Sequence, residues 1–274
     1  PHLVICGHNN TLNRKTLLEI KKNYNYKVII WYEDALAPGG PDYKNSIKLL
    51  EKNRDLIDKY FVTTHPSAIK TTIDKKKLNF MPVPVDINIE SEKFYNLKKT
   101  KDLFFALSHG VNFGKLKKGV SDDRSKFIEQ LIKEADGLVN FNILGLYKEE
   151  PKWNFDLNNE IMKSKIALNL SRGLPAKYYS SNRIATLMGN GCLTAIDEKV
   201  QYDHFFNKNE ILVYKNPKDL IKKIIKIKDN PKLIKKISKN GRKKYFRIFS
   251  NVIISQFLID KTFGFKNKYK YIWS

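Results

Sequence analysis

Cysteine is nearly absent from these 274 residues. Cys6 and Cys192 stand far apart, each inside an apolar run that reads as a strand, so no disulfide framework is indicated and a reducing, cytoplasmic compartment is expected. Long apolar runs are lacking too. No stretch approaches the ~18 consecutive apolar residues of a membrane-spanning helix, so any membrane contact is expected to be peripheral. His, Cys, Asp and Glu do not gather at metal-ligand spacings and no carboxylate pair stands out, so neither a metal site nor a resident cofactor is expected. Acidic residues are few, 28 against 51 Lys and Arg, and the formal net charge is +23. Such an excess suits a polyanionic partner: nucleic acid, an anionic membrane surface or a phosphorylated substrate. The alternative is that lysine merely solvates the surface, since net charge speaks to association and not to fold.

What is present is enough apolar residue, 42%, to build cores, arranged in alternating strand-like and helical segments. "LVIC", "RKTLLEIKKN", "KVIIWY", "SIKLLEKNRDLIDKY", "FVTTH", "SAIKTTIDKK" and "NFMPVPV" follow one another. This rhythm implies βαβ units and a parallel sheet covered on both faces. At 82–86 "PVPVD" interrupts it with two prolines, and the following "ESEKFYNLKKTKD" shows no core stripe, which sets a domain boundary: residues 1–97 as the first domain with its linker, 98–274 as the second. The second series runs "DLFFALS", "RSKFIEQLIKEA", "VNFNILGL", "DLNNEIMKS", "KIALNL", "NRIATLMG", "CLTAID" and "EILVY", then the long helical segments "PKDLIKKIIKIKD" and "PKLIKKISKNGRKKYFRIFS". In the former, Leu220, Ile221, Ile224 and Ile225 share one face and Lys222, Lys223 and Lys226 another. That suits either a membrane-surface helix or one covering a domain.

The stretch "LSRGLPAKYYSSNRIATLMGNGCLTAID" (170–197) places Arg172, Lys177 and Arg183 around Tyr, Ser and Asn, between a buried strand and a helix. Ser181 or Asn182 can cap that helix. Positive charge at a strand's carboxyl end beside a helix amino end is the arrangement that binds an anion.

From about 102 to 250 the order of features resembles the group 1 glycosyltransferase superfamily, in particular its spore-maturation-like branch. The loop "SHGVNFGKLKKGVSDDR" ends in Arg124, which opens a helix as an arginine does in that branch. "FNILG", "SKIALNLSRG", "NRIATLMGNGCLTAID", "NEILVYKNPKDLIKKI" and the final "NG" and "FS" follow in the family's order. "WYED" and "TTHPSAIKTTIDKKKLNFMPVPVD" resemble, more loosely, the family's first domain and linker. The resemblance implies an α/β fold of two Rossmann-like parallel-sheet domains, the GT-B architecture. The first domain is expected to be incomplete, since the chain enters a strand almost at once after Pro1. Where the superfamily often places a ribose-binding glutamate, this sequence has Thr186. The run "YSSNR" is similar instead to the donor motif of α1,3-fucosyltransferases, which makes Asn182 the ribose contact and Arg183 the phosphate contact.

The implied activity is transfer of a sugar, hexosyl or deoxyhexosyl, from a nucleotide-sugar donor to a cell-surface or envelope glycan or a lipid-linked acceptor. It is expected to be metal-independent and to take place in the cytoplasm, at the inner face of an anionic membrane. A diphosphate leaving group gathers negative charge as the glycosidic bond breaks, and fixed cations and N–H groups lower that barrier. Donor-binding candidates are Ser108, His109 and Gly110, where a backbone approaches phosphate closely, then Arg124, Tyr147 as a base-stacking ring, Arg172, Lys177, Tyr179, Ser181, Asn182 and Arg183. The plainer readings are an ion-paired surface arginine at 183, simple caps at Ser181 and Asn182, and a core-edge tyrosine at 147. Candidate general bases are His8 and Asp34, each at the end of a strand. Two other classes compete. A basic nucleic-acid-binding α/β protein would leave the arginine-led motif unexplained, which makes a nucleic-acid partner the weaker expectation. A sugar-nucleotide epimerase of the same fold needs its own acids and histidines.

Overall fold

The computed structural model describes residues 2–7, 13–38, 40, 42–107, 111–112, 115–116 and 122–274. The chain divides into two compact units. The first takes residues 1–84, 173–182 and 248–274; the second takes 85–172 and 183–247.

In the first unit, β1 (Leu3–Gly7), β2 (Lys27–Tyr32), β3 (Lys59–Val62) and β4 (Leu78–Phe80) form a parallel sheet in the order of the sequence. Between them run α1 (Arg14–Asn23) and α2 (Tyr43–Glu51). The helix α1 starts because the Asn13 side chain accepts the Thr16 N–H at 2.8 Å, satisfying an end group that the helix itself cannot. Leu17 and Leu50 of the two helices pack with Val28, Ile30, Tyr60 and Val62 in one core. The chain's last helix, α8 (Asn251–Phe263), belongs to this unit as well. Phe257 meets Phe61 of β3 edge to face, with ring centres 5.9 Å apart, and packs with Tyr271 and Trp273 of the tail. The tail is tied by Asp260, which accepts from Tyr271 Oη at 2.6 Å, Gln256 Nε2 at 2.7 Å and Lys268 N at 3.0 Å. The sequence placed 248–274 with the second domain. An aromatic interface between segments some 200 residues apart, with no periodicity to announce it, carries these residues to the first sheet instead.

The second unit has a parallel sheet of five strands: β5 (Lys101–Ala106), β8 (Phe141–Leu144), β9 (Ser164–Asn169), β10 (Leu193–Asp197) and β11 (Leu212–Tyr214), ordered β11-β10-β9-β5-β8. A short antiparallel pair, β6 (Val111–Asn112) and β7 (Lys115–Leu116), lies in the loop after β5. Side chains alternate across the sheet. Leu103, Phe105, Ile166 and Leu168 pack on one face with Ile128 and Leu131 of α3 (Asp123–Ala135), Leu220, Ile221 and Ile224 of α6 (Pro217–Ile227), and Ile234 and Ile237 of α7 (Pro231–Phe249). Phe104 and Ala167 face the other way, against Ile161 of α4 (Asn154–Ile161) and Leu187 of α5 (Asn182–Gly189). The unit therefore has the two covered faces that alternating strands and helices imply.

One detail differs from the sequence reading and another decides between its alternatives. The supposed linker holds a core residue, because Phe94 is fully buried in the second cluster and its N–H donates to Asn190 O at 2.9 Å. On α6, the face with Leu220, Ile221 and Ile224 is covered, while Ile225 is exposed and Lys223 reaches Val213 O and Asp219 Oδ2, both at 2.8 Å. That helix covers a domain. Its apolar stripe is spent on the core and is not offered to a membrane.

At Gly241, α7 passes so close to Glu210 that a Cβ would stand 2.3 Å from its carbonyl oxygen. Alanine gains about 1 kcal/mol of helix propensity there, but overpacking against backbone costs about 1–3 kcal/mol, and a carbonyl cannot rotate aside as a side chain can. Gly241→Ala is therefore expected to lower the urea midpoint, with a net loss of about 1 kcal/mol. The exposed neighbour change Lys239→Ala should stay within about 0.5 kcal/mol of the parent. A Gly241→Ala protein as stable as the parent would contradict this packing.

Candidate functional site

In an open parallel sheet, ligands bind at the carboxyl ends of the strands where the strand order reverses. In the second unit that point lies at β5 and β9, because the chain goes from β5 outward to β8 and returns to β9 on the other side. The residues at that edge are Leu107 after β5, Gly145 after β8 and Leu170 to Arg172 after β9. Gly145 has φ +75°, and a Cβ there would lie 2.2 Å from Leu107 O, so only glycine lets these two strand exits close together. Ser108, His109 and Gly110 lie outside the described residues, as does His8.

Below this edge sits a carboxylate that the sequence reading did not single out. Asp122 caps α3, accepting the Arg124 N–H at 2.9 Å, and receives Arg124 Nε at 2.8 Å and Nη2 at 3.0 Å. Arg172 Nε approaches its other oxygen at 3.4 Å. The Asp122 side chain is fully buried, that of Arg124 is 8% exposed and that of Arg172 is 26% exposed. Burial alone would raise the Asp122 pKa, but the Arg124 hydrogen bonds and the charges of Arg124 and Arg172 outweigh it and hold the carboxyl below its ordinary value. Arg124, expected to touch the donor, has its fork closed on Asp122. Arg172 is the more exposed partner.

Arg183, the second residue of α5, donates from Nη1 to Leu170 O at 2.9 Å. Arg172 is part of the β9 exit and its side chain is held by the cap of α3, while Arg183 is tied to that exit through the Leu170 carbonyl. Tyr147 lies past the β8 exit, 53% exposed, in a left-handed conformation at φ 53°.

The rest of the motif belongs to the first unit. His65 N donates to Lys177 O at 3.0 Å, Ser180 N to Thr63 O at 2.8 Å, and Val83 N to Ser180 Oγ at 2.9 Å. Asn182 Nδ2 donates to Glu33 Oε2 at 3.1 Å. Lys177 Nζ lies over the Tyr178 ring, 5.0 Å from its centre, and Tyr179 N closes a turn onto Ala176 O at 3.0 Å. Ser181 immediately precedes the helix, which starts at Asn182. So Lys177, Tyr179, Ser181 and Asn182 are held at the carboxyl edge of the first sheet, and Arg124, Tyr147, Arg172 and Arg183 in the second unit.

Asp34 is exposed just past β2, near enough to Tyr32 to help burial raise that phenol's pKa. His65, past β3, was not among the expected bases. The Ser67 N–H donates to its Nδ1 at 3.2 Å, and Ser67 Oγ lies 2.7 Å from the same nitrogen. Burial, and then Lys177, lower its pKa and keep it neutral. Among the described residues no three His, Cys, Asp or Glu side chains gather as a metal-ligand group, and no helix is long and apolar enough to cross a membrane.

Residues 124–259 match a family model described as glycosyl transferase-like. No curated protein matches the sequence. Among solved structures, the chain is similar to HepE of Anabaena in complex with UDP-glucose, at 12% identity and TM-score 0.64, covering 96% of this chain and 79% of that one. It is similar to sucrose-phosphate synthase from Thermosynechococcus elongatus, at 12% identity and TM-score 0.58, covering 97% and 74%. A variant of S. aureus TarM in complex with fondaparinux, α-GlcNAc-glycerol and UDP aligns at 14% identity and TM-score 0.61, covering 95% of this chain and 55% of TarM. At these identities the likeness is one of fold. The chain has the α/β GT-B fold of these glycosyltransferases, with two parallel-sheet units.

Asp122 gives the site a defined acid dependence. Its folded pKa is lowered, so its contribution to stability is complete above the unfolded value of about 3.9 and is lost as pH falls through the folded value. Asp122→Ala leaves Arg124 buried without its carboxylate and should cost about 3–5 kcal/mol at neutral pH. Denaturant unfolding of both proteins from pH 7 downward checks this, since the gap between them should narrow only below about pH 4. A gap that is small at pH 7, or constant with pH, would contradict the buried pair.

Proposed function

We propose that this protein is a glycosyltransferase using a nucleotide-sugar donor, and that the donor's diphosphate lies at the β9 exit against Arg172 and Arg183. The observation that carries the reading is the coincidence of three things. They are the strand-order reversal, the two arginines fixed to the strand leaving it, and the glycosyl transferase-like match over 124–259.

As the bond from the sugar's anomeric carbon to the phosphate oxygen breaks, its electron pair leaves with the nucleoside diphosphate. Guanidinium groups already in place stabilise that charge without reorganising at the moment of reaction. Arg172 and Arg183 supply them, and the N–H groups opening α5 add to the field. Arg124 is then a positioning residue, holding Asp122 so that Asp122 holds Arg172. Tyr147 is suited to stack on the base, and Asn182 to meet the ribose as in the fucosyltransferase-like reading. Ser108, His109, Gly110, Lys177, Tyr179 and Ser181 complete the proposed donor set. The acceptor hydroxyl's proton goes to Asp34 or His8. UDP is the first nucleotide to try, because the compared structures of HepE and TarM hold UDP-glucose and UDP.

The order of motifs over 102–250 supports the spore-maturation-like branch, and a hexosyl or deoxyhexosyl donor with a cell-surface glycan or lipid-linked acceptor. The charge of +23 supports work at the cytoplasmic face of an anionic membrane. The nucleic-acid and epimerase readings have no comparable support in the site.

Calorimetric titration with UDP tests the assignment. Arg183→Ala removes a charge-assisted contact of ~1.5–3 kcal/mol and should weaken binding roughly ten- to a hundredfold, with Arg183→Lys recovering part. Lys222→Ala, an equal loss of charge elsewhere, should change little. Because the arginines supply the positive charge, affinity should persist in excess EDTA. An Arg183→Ala protein that stays folded and binds UDP like the parent would overturn the site.

A further inference from the structure

The second unit contains a cavity at the opposite edge of its sheet, at the amino ends of β5, β9 and β10. Its volume is about 480 Å³, within the range of small-molecule sites. The six residues of β5 span on the order of 20 Å, so this cavity and the β9 exit are separate places. Lys98, Lys99, Lys165, Lys228 and Lys235 line it, with Asp229 as the one acidic lining residue. Lys165 Nζ is 2.7 Å from Asp102 Oδ1, and Lys228 also acts on that carboxylate. Among the described residues, no carboxylate lies within 4 Å of the ammonium of Lys98, Lys99 or Lys235.

Lys99 is the informative member. Its Nζ donates to Met162 O at 2.7 Å and sits 6.0 Å from the centre of the buried Phe94 ring. It is half-buried, and burial lowers its pKa. An ammonium in such a place costs stability unless a counter-charge reaches it. The amino end of α7 also opens on the cavity at Pro231, capped by Asn230, whose Oδ1 accepts the Leu233 N–H at 3.0 Å, and this adds a positive dipole end.

We propose that this cavity is a second anion site, distinct from the donor diphosphate site, that takes a small ligand bearing a multiply charged phosphate group. The ligand's phosphate oxygens replace the missing counter-charge of Lys99 and bridge it to Lys228 and Lys235. The reading stands whether or not the β9 exit binds a nucleotide.

The test uses inorganic pyrophosphate as probe and amine modification, read residue by residue by mass spectrometry, as the local readout. Pyrophosphate should protect Lys99, Lys228 and Lys235 at least tenfold while leaving Lys222 and Lys226 reactive, and Arg183→Ala should not change that pattern. Lys99→Met and, on the exposed turn of α7, Lys235→Ala should each weaken the protection of the other lysines at least tenfold. Lys235→Ala keeps the test decisive should Lys99→Met fold poorly. Uniform labelling with and without pyrophosphate, or protection abolished only by Arg183→Ala, would overturn the site. Protection by phosphatidylglycerol vesicles and not by pyrophosphate would overturn the small-ligand assignment in favour of a lipid headgroup.

Discussion

The buried Asp122 carboxylate is the constraint on which the arrangement at the second sheet's carboxyl edge depends. Two guanidinium groups brought this close repel each other and, in a partly buried place, lose hydration as well. One fully buried carboxylate accepting Arg124 Nε at 2.8 Å and drawing Arg172 to 3.4 Å offsets both costs. It does so from a helix cap, so the same residue fixes the start of α3. Arg124 completes the clamp and spends its charge there. Arg172, the more exposed partner, and Arg183, bonded to Leu170 O, lie beside the same strand exit.

Much of this fold could be read from the sequence because it follows from local chemistry. The segment "NRIATLMG" is α5 residue for residue, and "KIALNL" differs from β9 by one position. Asn216 before Pro217 and Asp219 announces α6, and the structure shows the Asp219 N–H bonded to Asn216 Oδ1 at 2.9 Å. What was not legible involves partners remote in sequence. At "SDDR" Arg124 reads as opening a helix, but nothing there says that Asp122 holds it or that Arg172, fifty residues later, shares the carboxylate. The apolar run of α8 does not say which sheet it covers. The motif at 170–197 reads as one anion-binding arrangement, yet Ser180 is bonded to Thr63 and Val83 of the first unit while Arg183 is bonded within the second.

Lysine also means different things in different places. Lys223 holds the β11 end, Lys163 and Lys152 pull the Glu160 carboxyl down to about 2 against its burial, and Lys21 pairs with Asp58. At the amino edge of the second sheet, by contrast, lysines gather round a cavity with too few carboxylates to balance them. Burial pushes the thiol of Cys192, which lines the same cavity, up to about 12 despite the pull of Lys99, so it behaves as an apolar wall and not as a nucleophile. The unit thus has a carboxyl edge where charge is matched and aimed, and an amino edge where it waits for a partner.

The central claim is that the β9 exit is an anion site built on Asp122. Hydrogen–deuterium exchange of the intact protein with and without saturating UDP tests it most directly. The account predicts slowed exchange at residues 170–172 and in the first turn of α5, with the amides around Asp122 and Arg124 following, and little change in α6. Binding of UDP with exchange at 170–172 and in α5 unaltered would contradict it.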